Sequence, residues 1–193
     1  IINFCDDYII NNSINHKKTI AYLSNLIKKI NLLGVKNLIL PLYGKSNLTD
    51  YNYRKYLVAL KNISNKDNKI NFYIESNISP NTFKKMSYYL KRKNIFFLFD
   101  TGNRINLKRD LYDDLTKFLK YIGHIHIKDK DHRGKNVKLT TGLVNFKKIF
   151  YILKKRKYKK SFTFETTRGN NAMRMAAFNI NFLKKNFKWK DFL

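Results

Sequence analysis

Two kinds of apolar run alternate along the 193-residue chain. Short runs rich in Ile, Phe and Val read as buried strands, and longer runs with helical spacing follow them. Ile1–Cys5 is the first short run. The next stretch, from about His16 to Leu33, reads as an amphipathic helix with Ile20, Leu23, Ile27, Ile30 and Leu33 along one side. Gly34 stops it as a C-cap glycine would. Val35–Leu40 is a second strand, ended by Pro41, and a helix from about Asp50 to Ile63 follows. Ile70–Glu75 (INFYIE) is a third strand. Ser79 and Pro80 then open a helix, at its N-cap and first helical position. Ile95–Asp100 (IFFLFD) is a fourth strand and precedes a helix over Leu107–Tyr121. Ile122–Ile127 (IGHIHI) is a fifth. A long polar loop, Lys128–Thr141, separates it from a helix at about Val144–Arg156. Ser161–Glu165 (SFTFE) is a sixth strand, and a last helix covers roughly Asn171–Asn186.

The pattern amounts to six strand–helix units with no hairpin signal. Strands alternating with helices imply parallel pairing and right-handed crossovers. An open doubly wound sheet and a (β/α)8 TIM barrel both satisfy this, and the strand ends choose between them. Glu75, Asp100, His126 and Glu165 stand at the C-terminal ends of four successive strands. In parallel α/β folds those ends share one face, where active sites lie. An open sheet would spread the four residues along an edge, whereas a barrel brings them to its axis. The barrel is therefore expected, with these four residues around one divalent ion. Three carboxylates and an imidazole suit Mn2+, Mg2+, Co2+ or Zn2+. A lone acid at a strand end is more often an N-cap than a ligand, so it is the coincidence of four that points to a metal.

The remaining histidines carry less. A regular strand is expected not to set His124 and His126 side by side on its inner face, so His124 reads as packed or outward-facing. His132 lies in the polar loop beside Arg133 and Gly134, within reach of a substrate.

Composition qualifies this picture without redirecting it. Hydrophobic residues make up 44% of the chain and aromatics 15%, enough for a sizeable core and against disorder. The net charge of +27 raises nucleic acid as a partner. The lysines are spread along every helix, however, while Asn and Ile are frequent and Pro and Gly scarce. That reads as compositional bias with solvated helix faces, which could still attract an anionic sugar phosphate. The single cysteine, Cys5, cannot form an internal disulfide, and a reducing compartment follows. No secretory signal and no membrane-length apolar run is seen, so a cytoplasmic location is expected.

The segments IESN, FDTGN, GHIHIKDKDHRGKNVKLTTG and FTFETTRG, with the FCDDY start and the GLVNF segment, resemble the xylose-isomerase-like sugar phosphate isomerase/epimerase superfamily. The resemblance runs in order from about Cys5 to the end of the chain. It implies a TIM barrel with one metal held at Glu75, Asp100, His126 and Glu165. It also implies that Glu75 and Glu165 act as an acid/base pair, moving a proton beside a substrate carbonyl through a cis-enediolate. By the same resemblance Asn103 stands near the substrate hydroxyls, where relatives often carry His, and Arg133 resembles a substrate-contacting arginine. Lys128 and Asp129 would organise the loop after the metal histidine. Thr140-Thr141-Gly142 replaces a glycine-richer turn. Arg168 follows the last strand, where barrels often bind phosphate, and is expected on a phosphate or terminal hydroxyl.

The 193 residues are expected to form a single domain, the C-terminal three-quarters of a barrel, with two units preceding Ile1 and a fragment or partner-closed barrel as the result. The substrate expected is a small sugar or sugar phosphate, without membrane or nucleic acid, and a homo-oligomer is allowed. Three other readings compete. An apurinic endonuclease-like DNA repair enzyme would need additional histidines, yet the chain has four, and Asn103 fills a position the nuclease pattern gives to His. A non-catalytic barrel remnant sits poorly with four intact ligands. A dehydratase of the same superfamily would share metal and enolate.

Overall fold

The computed structural model describes residues 16–187, and the Ile1–Cys5 strand expected from the sequence lies outside them. The chain divides into two compact units, Ile1–Leu98 and Phe99–Leu193.

The first unit contains α1 (His16–Leu32), β1 (Asn37–Pro41), α2 (Arg54–Lys66), β2 (Asn71–Glu75), α3 (Pro80–Leu90) and the opening residues of β3 (Ile95–Asp100). Its strands lie in the order β1-β2-β3, all parallel, with Ile39 opposite Tyr73 and Tyr73 opposite Phe96. Period-two alternation sorts their side chains. Ile39, Tyr73 and Leu98 form one buried cluster with Phe96 packed against it. Leu38, Leu40, Phe72, Ile74 and Phe97 take the opposite face and are all buried, Phe97 edge-on to Phe83 of α3 at 5.2 Å.

Local chemistry sets the helix ends. Gly34, at φ +67°, donates to the Asn31 carbonyl while Val35 donates to that of Ile30, the paired bonds of a Schellman cap. Leu23, Ile27 and Ile30 are buried as the spacing predicts, but Leu33 is 70% exposed because the chain has already left the helix there. Ser79 Oγ accepts from the Thr82 N–H as the N-cap of α3, with Pro80 at the first turn. Helix α2 starts four residues later than the pattern suggests. Thr49 and Asn52 exchange hydrogen bonds in a turn, and Asp50 Oδ1 accepts the Ser79 N–H at 2.7 Å instead of beginning a helix.

The second unit continues β3 into α4 (Thr101–Ile105), then α5 (Leu111–Phe118), β4 (Ile122–Ile127), β5 (Asp129–Lys130), β6 (Asn136–Val137), α6 (Phe146–Lys155), β7 (Ser161–Phe164) and α7 (Ala172–Phe187). Within it β4 and β7 pair in parallel, with His126 opposite Thr163. Between β7 and the two last helices lies an aromatic core in which Phe162 meets Phe187 at 5.0 Å and Phe150 meets Phe187 at 5.3 Å.

Three features here were not expected. The helix over Leu107–Tyr121 is shorter because Asp110 caps it, accepting from the Tyr112 and Asp113 N–H groups at 2.8 Å each. The loop after His126 contains an antiparallel hairpin, β5 with β6, contrary to the reading that no hairpin is present. Asp131 gathers the Arg133 and Lys135 N–H groups on one oxygen, and Gly134 at φ +76° closes the turn. Finally, Arg104 is fully buried: it pairs with Asp114 and its guanidinium lies over the rings of Phe99 and Phe118 at 5.4 and 4.8 Å.

Candidate metal centre

Asp100 closes β3 and begins α4. Its Oδ1 accepts the Asn103 N–H at 2.7 Å, so the residue is an N-cap, and this bond fixes the direction of Oδ2. His126 is the fifth residue of β4 and is buried. Glu165 follows β7, tied by its N–H to the Ile127 carbonyl at 3.1 Å. The three side chains converge. His126 Nδ1 lies 3.3 Å from Glu165 Oε2 and 3.7 Å from Asp100 Oδ2, and one donor atom from each residue falls within 4.8 Å of the others. Asp100 and His126 are buried, while the Glu165 side chain is 48% exposed, leaving one side of the group open.

Lys128 enters the same cluster. Its ammonium is 3.0 Å from Asp100 Oδ2 and 2.5 Å from Glu165 Oε2. The DTGN segment makes this placement. Thr101 Oγ1 accepts the Lys128 N–H at 3.0 Å and donates to the Lys128 carbonyl at 2.6 Å. Gly102 leaves room for the lysine stem, since a Cβ there would lie 2.5 Å from Lys128 Cγ. Asn103 Oδ1 stands 3.5 Å from the ammonium. The charges respond accordingly. Hydrogen bonding to His126, aided by Lys128, holds the Glu165 carboxyl well below the usual carboxylate range against the opposing effect of burial. Burial pulls the Lys128 ammonium down, but Asp100 and Glu165 outweigh it and keep the group above the ordinary lysine value. Both are charged at neutral pH.

Two carboxylates and an imidazole on three strand ends are donors that suit a divalent ion. The cluster already accommodates positive charge, as the Lys128 ammonium between its carboxylates shows.

A model of the family described as xylose isomerase-like TIM barrel matches residues 4–186. The chain belongs to that family. Solved structures agree on the fold. An L-ribulose 3-epimerase is similar at 18% identity and TM-score 0.72, covering 88% of this chain and 67% of its own. A xylose isomerase domain protein from Planctomyces limnophilus gives 18% and 0.72, covering 90% and 66%. The IOLI protein with a bound zinc gives 15% and 0.72, covering 89% and 71%. The chain thus spans about two thirds of the length of the first of these structures. No curated protein matches it.

In this xylose isomerase-like chain the other singled-out residues lie as follows. Glu75 belongs to the first unit, at the end of β2, buried, with its carbonyl accepting the Leu42 N–H at 2.8 Å. Asn103 sits in α4 beside Lys128. His132 and Arg133 are exposed in the β5–β6 turn. Arg168 lines a surface hollow of about 260 Å3 with Thr166, Thr167 and Met175, before the start of α7. Asp129 does organise the loop: buried, it accepts the N–H groups of Lys130, Thr140, Gly142 and Val144, each at 3.0 Å. Thr140, at φ +76°, takes a conformation that a glycine would adopt more readily.

His124 and His126 lie side by side, contrary to expectation. Residues two apart on a strand share a face, and the rings of His124 and His126 meet edge-on at 5.4 Å. His124 is packed, not outward-facing. Its nitrogens contact Ser161 Oγ at 2.7 Å and Thr163 Oγ1 at 2.9 Å, and burial, reinforced by His126, pushes its pKa down to about 4. It is therefore neutral at pH 7 and braces β4 against β7.

Proposed function

We propose that this chain is part of a divalent-metal-dependent sugar or sugar-phosphate isomerase or epimerase. The observation that carries the reading is the convergence of Asp100, His126 and Glu165 within 4.8 Å at the C-terminal ends of neighbouring strands, the face on which barrels of this kind place their chemistry. The fold shared with sugar epimerases and with a xylose isomerase domain protein supports the class.

Glu75 is proposed as the fourth ligand. It follows Tyr73 by two residues and Asp100 follows Leu98 by two, while Tyr73 and Leu98 share one cluster; period-two alternation therefore favours a common face. A bound Mn2+, Mg2+, Co2+ or Zn2+ would polarise the substrate carbonyl. Glu75 and Glu165 are proposed to remove and return the proton on the carbon beside it, through an enediolate of the sugar. The Glu165 side chain is open on one side, which leaves room for a substrate carbon to approach it. Asn103, His132 and Arg133 would contact substrate hydroxyls, and Arg168 a phosphate or terminal hydroxyl.

The test is a screen of ketoses and ketose phosphates with added Mn2+, run beside Glu165→Gln. Turnover by the unaltered chain and its loss in a folded Glu165→Gln is the expected result. Undiminished turnover in the variant would remove Glu165 from the chemistry.

A further inference from the structure

The proposed function, on which this inference rests, asks Asp100 and Glu165 to hold a divalent cation. A second cation is already built into the chain at the same two oxygens. Lys128 Nζ lies 3.0 Å from Asp100 Oδ2 and 2.5 Å from Glu165 Oε2, and its side chain is only 7% exposed. The position is constructed, not accidental. Lys128 follows His126 by two residues and therefore shares its face of the chain. Its backbone is clamped on both sides by the Thr101 hydroxyl. Its stem runs over Gly102, where any Cβ would collide with Cγ, Cδ and Cβ at 2.5, 2.8 and 3.0 Å.

Like charges cannot both occupy those oxygens at contact distance without strong mutual repulsion. A divalent ion ligated by Asp100 and Glu165 must therefore displace the ammonium. The structure offers the ammonium a neighbouring acceptor: Asn103 Oδ1 is 3.5 Å from Nζ, and its carbonyl oxygen is neutral and outside the ligand set. A four-carbon stem can make so small a shift without moving the clamped backbone.

We propose that Lys128 is a tethered exchange cation. It neutralises Asp100 and Glu165 when no ion is bound, yields them to the entering ion, and withdraws towards Asn103. Its role is positioning and charge compensation, and it sets how tightly the site holds metal. Without it, two carboxylates would face each other uncompensated, which would destabilise the metal-free protein and tighten metal binding.

The experiment measures Mn2+ affinity and thermal unfolding of the full chain, unaltered and as Lys128→Met, with Lys128→Gln as a second variant in case the first fails to fold. His126→Ala serves as the control for binding at this site. The unaltered chain is expected to bind Mn2+, the variants at least tenfold more tightly, and His126→Ala much more weakly. Without metal the Lys128 variants should melt below the unaltered chain, and saturating Mn2+ should close or reverse the gap. Equal or weaker affinity in both variants would overturn the exchange while leaving the metal reading intact. Binding only by the Lys128 variants would make the lysine a permanent replacement for the ion and also overturn it. Binding by none of them would overturn the metal reading and this inference together.

Discussion

Gly102 and Lys128 occupy adjoining space so closely that a single methyl group on Gly102 would overlap the lysine stem, 2.5 Å from its Cγ. Gly102→Ala should therefore cost about 1–3 kcal/mol, the usual range for overpacking a filled site. Truncating Lys128 to Ala removes Cγ and Cδ, the two nearest atoms, and leaves only Cβ at 3.0 Å. Urea unfolding of the two single variants and the double variant should show a coupling of about 0.5–3 kcal/mol in favour of the double. Strict additivity would mean that the crowding is relieved elsewhere.

Asp129 concentrates four backbone N–H groups on one buried carboxylate. In Asp129→Asn one of the two oxygens becomes an amide donor, and two N–H groups lose their acceptor. The expected loss is about 2–4 kcal/mol, since hydrogen bonds to charged groups are worth more than neutral ones and the donors are left partly buried. Limited proteolysis should cut the loop over 130–143 faster in the variant. An unchanged cleavage rate would show that the loop does not depend on Asp129.

Arg104 is held by Asp114 inside the second unit, where water cannot replace the partner. Asp114→Asn leaves the guanidinium charged and uncompensated, and about 3–5 kcal/mol of stability should go with it. Arg109 also reaches Asp114, at 3.1 Å, but its side chain is one-third exposed. Arg109→Ala should accordingly cost less than about 1 kcal/mol, as exposed pairs do. A reversed order of the two variants in chemical denaturation would contradict this assignment.

Asp110 supplies a pH-dependent contribution. The Asp113 N–H, with that of Tyr112, holds its carboxyl below the ordinary aspartate value of 3.8 in the folded chain. A depressed folded value means stability that is fully present above 3.8 and lost as pH falls through the lower folded value. Asn caps helices about as well as Asp but does not titrate. The stability difference between the unaltered chain and Asp110→Asn should therefore hold at neutral pH and shift in favour of Asn below about pH 4. A difference that stays constant down to pH 2 would mean that the carboxylate form contributes nothing.

Periodicity alone revealed the strand–helix alternation, because each strand is a short apolar run bounded by a cap or turn residue: Gly34, Ser79 and Asp100 punctuate as their chemistry dictates. The strand-end acids and His126 were legible for the same reason, being polar residues at the end of buried runs. Other features were not. Arg104 looks like any surface arginine until Asp114, ten residues on, folds back to meet it. The β5–β6 hairpin is two residues per strand, too short for alternation to register. Lys128 should have been found. The two-residue spacing that puts His124 beside His126 also puts Lys128 on their side, and applying that rule would have placed an ammonium among the carboxylates.

The bonds to Asp129 lie at the root of the loop, and the turn beyond them closes on Asp131 alone. That division separates two kinds of evolutionary freedom. Residues 132–135 can be exchanged, lengthened or shortened without slackening the anchor. A chain so built can vary this turn while the strand carrying His126 stays untouched.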